Sequence, residues 1–176
     1  MHMYEFIYYS YLGFLLTLLL ILLYIRFLKK APPYEIDYNR GVDAYVNKDY
    51  KEALKLFNSV ITSNPAFYQA YYNKGLVLIE MKEFDKAIES FEKTIDIYPQ
   101  DYDSYFNLGL ILAAKDEHLE AIQKFIVAAE IKNEDPECFY QIGQCFVNLN
   151  KFKDAFPNFE KAIDLAPNNL DYLYAM

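Results

Sequence analysis

The sequence predicts an all-α protein in two parts, a single N-terminal transmembrane helix followed by a right-handed α-solenoid of four helix-turn-helix repeats. Residues 6–25 form a run of twenty residues without a formally charged side chain. Beyond residue 33, glycine, alanine and phenylalanine recur with a period of 34 residues. Within each period the apolar residues follow helical spacing in two runs, which indicates two amphipathic helices per repeat.

The charge-free run is predicted to be an uncleaved membrane anchor. A helix rises about 1.5 Å per residue, so residues 6–25 are long enough for the roughly 30 Å hydrocarbon core of a bilayer. A secretory signal peptide is the rival interpretation, but residues 1–5 contain no Lys or Arg and residues 29–33 hold no A-x-A cleavage site. A buried core helix rarely carries leucine on every face. We therefore assign residues 1–30 to an anchor with a basic flank.

The basic flank predicts the orientation of the anchor. Arg26, Lys29 and Lys30 follow the span and no basic residue precedes it, so the positive-inside rule places the N-terminus outside and the rest of the chain in the cytoplasm. The composition favours a bacterial inner membrane, with a mitochondrial outer membrane as the alternative. Cys138 and Cys145 lie seven residues apart on one predicted helix, about 10 Å along its axis, which is too far for a disulfide.

Residues 31–33 are predicted to be a short Pro-rich linker, and residues 34–169 to be four repeats. Four residue types recur in register within them, with small residues where the two helices of a repeat must cross. The series are Gly41, Gly75, Gly109 and Gly143; Ala53, Ala87, Ala121 and Ala155; Phe57, Phe91, Phe125 and Phe159; and Pro65, Pro99 and Pro167, with Asn133 at the matching position of the third repeat. The repeats are 34–67, 68–101, 102–135 and 136–169.

A 34-residue unit with small, aromatic and proline positions of this kind resembles a tetratricopeptide repeat, or TPR. In the second, third and fourth repeats the usual tryptophan of that family is replaced by Tyr71, Tyr105 and Phe139. In the first repeat Asp37 stands at that position. His118 replaces an aromatic residue. Pro157 lies inside the second helix of the fourth repeat, where we expect a distortion because proline removes a backbone hydrogen bond.

The resemblance implies a protein-binding scaffold and not an enzyme. The sequence contains no glycine-rich phosphate loop, no His or Cys cluster with metal spacing and no nucleophile with a base near it, so we assign no catalytic residue, no metal ligand and no cofactor. Residues 1–30 contain one of the 25 acidic and three of the 17 basic residues, so residues 31–176 carry 24 acidic against 14 basic side chains. This net charge of −10 argues against nucleic acid as a partner.

In TPR proteins the first helix of each repeat lines a concave groove. The candidate groove residues here are Tyr38, Asn39, Tyr72, Asn73, Phe106, Asn107, Tyr140 and Gln141. The amides offer a donor and an acceptor to a peptide backbone, and Glu35, Gln69, Asp103 and Glu137 add an acidic edge. Receptors of acidic C-terminal tails use Lys and Arg in this groove, and no cation stands at the matching positions here. An ordinary repeat surface without a ligand stays the alternative.

The sequence therefore favours a membrane-anchored adaptor that presents its groove to a protein in the cytoplasm or in a membrane complex. A self-associating structural arm, joined through the C-terminal repeat, and an accessory subunit of a membrane assembly are the alternatives. Residues 170–176 are predicted to form a short helix that partly caps the fourth repeat. Leu170, Leu173 and Tyr174 are expected on the face that packs against its second helix.

Overall fold

The computed structural model of the chain describes residues 15–22, 24 and 32–173. It divides into two compact units, Met1–Ile36 and Asp37–Met176. In the first unit residues 15–22 are helical, with exposed leucine and isoleucine side chains. No helix within the described residues is long and apolar enough to cross a membrane. Most of the predicted span, 6–25, and all of its basic flank lie outside the described residues.

From residue 33 onward the described chain is a succession of helices. They are α1 (Pro33–Val46), α2 (Tyr50–Ser63), α3 (Tyr68–Glu80), α4 (Phe84–Ile97), α5 (Tyr102–Ala114), α6 (His118–Ile131), α7 (Pro136–Asn148), α8 (Phe152–Leu165) and α9 (Leu170–Leu173). From α2 to α9, each helix packs against its neighbours in the chain. Pro33, which the sequence assigns to the linker, begins α1, because proline suits the first turn of a helix. The array is the all-α helical repeat that the sequence predicts.

Each helix pair is closed by a phenylalanine ring that lies on a glycine. Phe57, Phe91 and Phe125 have no exposed surface, and Phe159 is 3% exposed. A Cβ atom added to the partner glycine would stand 2.5–2.8 Å from the ring Cε1 atom in all four repeats, closer than real Cβ contacts. The glycine–phenylalanine pairs are Gly41–Phe57, Gly75–Phe91, Gly109–Phe125 and Gly143–Phe159. The prediction that the glycines mark the helix crossings is confirmed.

The turns between the two helices of each repeat share one backbone feature, a residue with a positive φ. Lys48, Lys82, Asp116 and Asn150 all have a φ near +60° and lie 34 residues apart. A left-handed residue at this point ends the first helix and reverses the chain. None of them is glycine, so each turn holds a conformation that costs a side-chain-bearing residue about 1 kcal/mol.

The connections between repeats end their helices in two ways. Asn64, Tyr98 and Ala166 precede a proline and are extended, with φ between −144° and −130°, because a following proline disfavours the helical region. In the third repeat Asn133 replaces the proline, and Asn133 and Glu134 have φ values of 46° and 64° instead. Asparagine tolerates the left-handed region, so the third repeat keeps the 34-residue length although it lacks the proline.

Pro157 does not interrupt the second helix of the fourth repeat. Helix α8 contains 14 residues, the same as α2, α4 and α6. Pro157 is exposed and lies in the second turn of α8, so the missing N–H deprives only the carbonyl of Lys153 of its helical partner. The expected distortion does not shorten the helix.

The buried residue of helix α9 is not one of those expected, and its contacts are to α7. Leu170 is 63% exposed, whereas Tyr172 is 4% exposed. The Tyr172 hydroxyl donates a hydrogen bond of 2.8 Å to Glu137 Oε2. Tyr172 follows Cys138 by 34 residues, so α9 corresponds to the first turn of a first helix. In that turn the third residue is buried and the first residue is not. Tyr174 lies outside the described residues.

We predict that Gly75→Ala lowers the free energy of unfolding by about 1–2 kcal/mol, because its Cβ would stand 2.7 Å from the Phe91 ring. Alanine at an ordinary helix position is instead favoured over glycine by about 1 kcal/mol. Urea denaturation measures the difference. In the double variant with Phe91→Leu, the alanine should recover most of its helix-forming advantage. A stabilising effect of Gly75→Ala alone would contradict the close contact.

Candidate functional site

The eight predicted groove residues all lie on the first helices of the repeats, α1, α3, α5 and α7. We call the surface that they form with Asp103, Leu110 and Glu137 the first-helix face. Except for Asn39, which is exposed, the eight predicted residues are partly buried. Their side chains therefore contact other parts of the protein as well as solvent.

The aromatic residues of this face rest on the core. The rings of Tyr38, Tyr72, Phe106 and Tyr140 each lie against the phenylalanine that closes their own repeat. The centroid distances are 6.0 Å for Tyr38–Phe57, 5.8 Å for Tyr72–Phe91, 5.5 Å for Phe106–Phe125 and 5.9 Å for Tyr140–Phe159. The ring pairs are tilted or edge-on, the arrangement that aromatic quadrupoles favour. Each aromatic residue thus has one side on the core and another at the surface.

Asn73 joins the second repeat to the first. Asn73 Nδ2 donates to the Tyr38 hydroxyl at 2.8 Å and to the Gln69 carbonyl at 2.9 Å. Asn107 repeats the contact within its own helix, with a 2.7 Å hydrogen bond from Nδ2 to the Asp103 carbonyl. Both N–H donors of Asn73 are therefore used within the protein, and its carbonyl oxygen is what it offers to a ligand.

The fourth repeat departs from this pattern for a chemical reason. Phe106 has no hydroxyl group that could accept a hydrogen bond. At the sixth position of the fourth repeat, where the second and third repeats have asparagine, stands Gln141. Gln141 Nε2 donates to Glu137 Oε1 at 2.8 Å. Since Tyr172 donates to the other oxygen at 2.8 Å, two neutral donors hold the Glu137 carboxylate.

These pairings are not evident from the sequence, because the partners lie 35 residues apart and the 34-residue period conceals that offset. A tyrosine at the fifth position of one repeat with an asparagine at the sixth position of the next is the signal that would have found them.

Apolar surface lies beside the amides. Leu110 follows Asn107 by three residues and Asp103 by seven on α5, so the three side chains share one side of that helix. Leu110 is 37% exposed. The first-helix face therefore combines exposed apolar surface, amide carbonyls and carboxylates.

The electrostatic character of the face is negative. Burial, together with the carboxylates of Asp103 and Asp101, raises the pKa of Tyr72 to about 12, and Asn107 acts in the opposite direction. Burial also raises the pKa of Asp103, and Asp101 adds to the effect. Both shifts are those expected where negative charge is disfavoured by nearby negative charge.

The reactive side chains outside this face do not form a catalytic arrangement. Cys138 and Cys145 are buried free thiols, and burial raises the pKa of each to about 11, which keeps them protonated. His118 is buried, its Nδ1 atom has no hydrogen-bond partner, and its Nε2 atom stands 3.7 Å from Asp116 Oδ1. In the described part of the chain, no three His, Cys, Asp or Glu residues are placed to hold a metal ion.

Comparison with known structures supports the architecture. The chain resembles MamA residues 41 to the end from Desulfovibrio magneticus RS-1 (TM-score 0.70, 25% identity, 77% of each chain covered). It also resembles YrrB, described as a TPR protein with an unusual peptide-binding site (TM-score 0.73, 23% identity, 83% of this chain and 75% of that chain). A third similar structure is a tetratricopeptide repeat protein from Parabacteroides merdae (0.76, 16%, 81% and 57%). The last two likenesses show the fold alone.

Sequence comparison identifies the family. A model of the tetratricopeptide repeat matches residues 68–101 and 136–169, and a second model of that repeat matches residues 90–123. Together they cover about half of the chain. Among curated proteins, none matches the sequence. The matched segments, the 34-residue period and the glycine–phenylalanine helix pairs agree, and the chain belongs to the tetratricopeptide repeat family.

Proposed function

We propose that this protein is a membrane-anchored adaptor that binds an extended segment of a partner protein on its first-helix face. Tetratricopeptide repeats are non-enzymatic scaffolds for protein–protein interaction, and this chain is one of them. The observation that carries the proposal is the combination of Leu110, the amide carbonyls and the aromatic edges on one side of the first helices. The partner belongs to the cytoplasm or to a membrane complex.

Hydrogen-bond chemistry supports an extended peptide as the ligand. Main-chain N–H groups of an extended segment need acceptors, and the carbonyl oxygens of Asn73 and Asn107 are acceptors that lie one repeat apart. Hydrogen bonds already hold both side chains in place, so binding costs little side-chain entropy. The structure of YrrB, whose described property is a peptide-binding site, has the same fold.

Membrane attachment is the second part of the proposal, with the N-terminus outside, the repeats in the cytoplasm and a bacterial inner membrane as the location. Its support is the charge-free run 6–25 and the basic residues Arg26, Lys29 and Lys30. The exposed leucine and isoleucine side chains of residues 15–22 also support it, because a contiguous apolar surface of this kind is costly in water.

Self-association through the C-terminal repeat is a second candidate function. Phe156 on α8 is 49% exposed, whereas Ile122 at the same position of the third repeat is 7% exposed. In the inner repeats this position packs against neighbouring helices, as Ile88 does. An apolar side chain that lacks this cover favours contact with a second copy.

We predict that Leu110→Gln weakens partner capture, because it removes apolar contact area from the first-helix face, while Leu119→Gln does not. Leu119 lies on the second helix α6 and is 53% exposed, so the two variants make the same chemical change on two different surfaces. Affinity purification of the detergent-solubilised full chain, with quantification of the co-purified protein, measures the effect. Equal capture by both variants and the wild type would contradict the proposed site.

We predict that a cysteine introduced on the repeats is protected from the outside of intact cells. The native thiols cannot report topology, because both are buried with a raised pKa. In a background of Cys138→Ala and Cys145→Ala, Glu120→Cys should react with a membrane-impermeant maleimide only after lysis. His2→Cys should react in intact cells. Labelling of Glu120→Cys in sealed cells would overturn the orientation.

We predict that self-association, if it uses the C-terminal repeat, depends on Phe156. Sedimentation velocity of the purified full chain in detergent should show a dimer or larger species, and Phe156→Gln should shift it towards the monomer. Leu119→Gln is the control for loss of an exposed apolar side chain elsewhere. A monomeric wild type at high concentration would rule out this second function.

A further inference from the structure

We infer that the segment bound on the first-helix face is basic, with lysine or arginine side chains that pair with Asp103 and Glu137. Its backbone N–H groups donate to the amide carbonyls of Asn73 and Asn107. This inference rests on the proposed function and specifies the chemistry of the partner.

Charge is segregated between the two kinds of helix. Of the 14 basic residues in 31–176, only Arg40 and Lys74 lie on a first helix. Both occupy the seventh position of their repeats, where Leu108 and Ile142 are buried in the core in the later repeats, so they do not share the side that carries Asp103 and Leu110. The first helices contribute six carboxylates in all. These are Glu35, Asp37, Asp43, Glu80, Asp103 and Glu137.

Six of the twelve lysines on the second helices and turns form ion pairs. Lys86 pairs with Glu83 at 2.5 Å, Lys115 with Asp85 at 2.7 Å, and Lys161 with Glu134 at 2.6 Å. By contrast, Glu80, Asp103 and Glu137 form no ion pair with any residue that the structure describes. None of the carboxylates on the first helices of repeats two to four therefore has a cation as a partner among the residues that the structure describes.

Glu137 is held in a geometry that leaves room for a cation. Gln141 and Tyr172 each donate one hydrogen bond to it, one to each oxygen. A carboxylate has about four acceptor sites, so two stay open. Both donors are neutral, so the carboxylate is fixed in position but its charge is not compensated.

The site around Tyr72 and Asp103 also favours a cation. The pKa of Asp103 is raised by burial and by Asp101, even though Lys132 opposes the shift. Lys132 itself is engaged, with Nζ 2.6 Å from Asp135 and 4.6 Å from the centre of the Tyr102 ring. An arriving ammonium or guanidinium group relieves the repulsion between the carboxylates of Asp103 and Asp101.

The hydrogen-bonding groups disfavour an acidic segment. Both N–H donors of Asn73 and one of Asn107 are used within the protein. Asp103 and Glu137 add carboxylates to the same face. An incoming carboxylate meets like charge there and no cation, which acts against the wrong partner.

The experiment compares three fluorescein-labelled peptides of one design, in which leucine and serine are interspersed with lysine, glutamine or glutamate. Fluorescence anisotropy with the detergent-solubilised full chain gives the Kd of each. We expect the lysine peptide to bind tightest and the glutamate peptide weakest, and the preference for lysine to decline as salt is raised. Each of Asp103→Asn and Glu137→Gln should weaken binding of the lysine peptide by roughly fivefold, the upper range for an exposed charge pair.

The control variant is Glu120→Gln, which removes an exposed carboxylate from α6 and should leave all three affinities unchanged. The melting temperature of each variant separates a binding effect from loss of structure, and glutamine at residue 137 keeps an acceptor for Tyr172. Three results would overturn the inference: tighter binding of the glutamate peptide, no binding of the lysine peptide, or equal loss in Glu120→Gln and Glu137→Gln. If the glutamine peptide binds as tightly as the lysine peptide and Leu110→Gln weakens both, the proposed function stands and the basic specificity fails.

Discussion

The contact between a phenylalanine ring and a glycine determines how the two helices of each repeat cross. Because the ring lies where a Cβ atom would be, the backbones approach as closely as a helix pair allows, and the ring is fully or almost fully buried. A larger residue at the glycine would push the helices apart. Four repetitions of the same contact at the same spacing make four similar helix pairs, which is why they stack in register.

The first-helix face depends on that contact. The aromatic residues of the face rest on the same four phenylalanines, so the core positions the surface. Asn73 then ties the second repeat to the first through the Tyr38 hydroxyl, and the hydrogen bond of Asn107 to the Asp103 carbonyl fixes that amide on its own helix. Pre-organisation of this kind lowers the cost of binding an extended segment.

The distribution of charge gives the two surfaces of the array different roles. Six lysines of the second helices and turns form short ion pairs with nearby carboxylates, most of them exposed, which contribute little to stability. On the first helices of repeats two and four, Glu80 and Glu137 are contacted by neutral hydrogen-bond donors. A binding face with uncompensated negative charge favours positively charged partners during the encounter, before the side chains pack against one another.

The sequence alone determined the repeat, because a 34-residue period in glycine, alanine and phenylalanine has few physical solutions other than stacked helix pairs. It also identified which residues lie on the first-helix face, since helical periodicity is a local property. Only the tertiary structure decided what those residues do. Asn73 and Tyr38 meet because two repeats stack, Glu137 is held by Tyr172 from α9, and Asn133 keeps its repeat in register by adopting a left-handed backbone. Each of these depends on contacts between parts of the chain that no local pattern relates, and so packing decided the chemistry that the face offers.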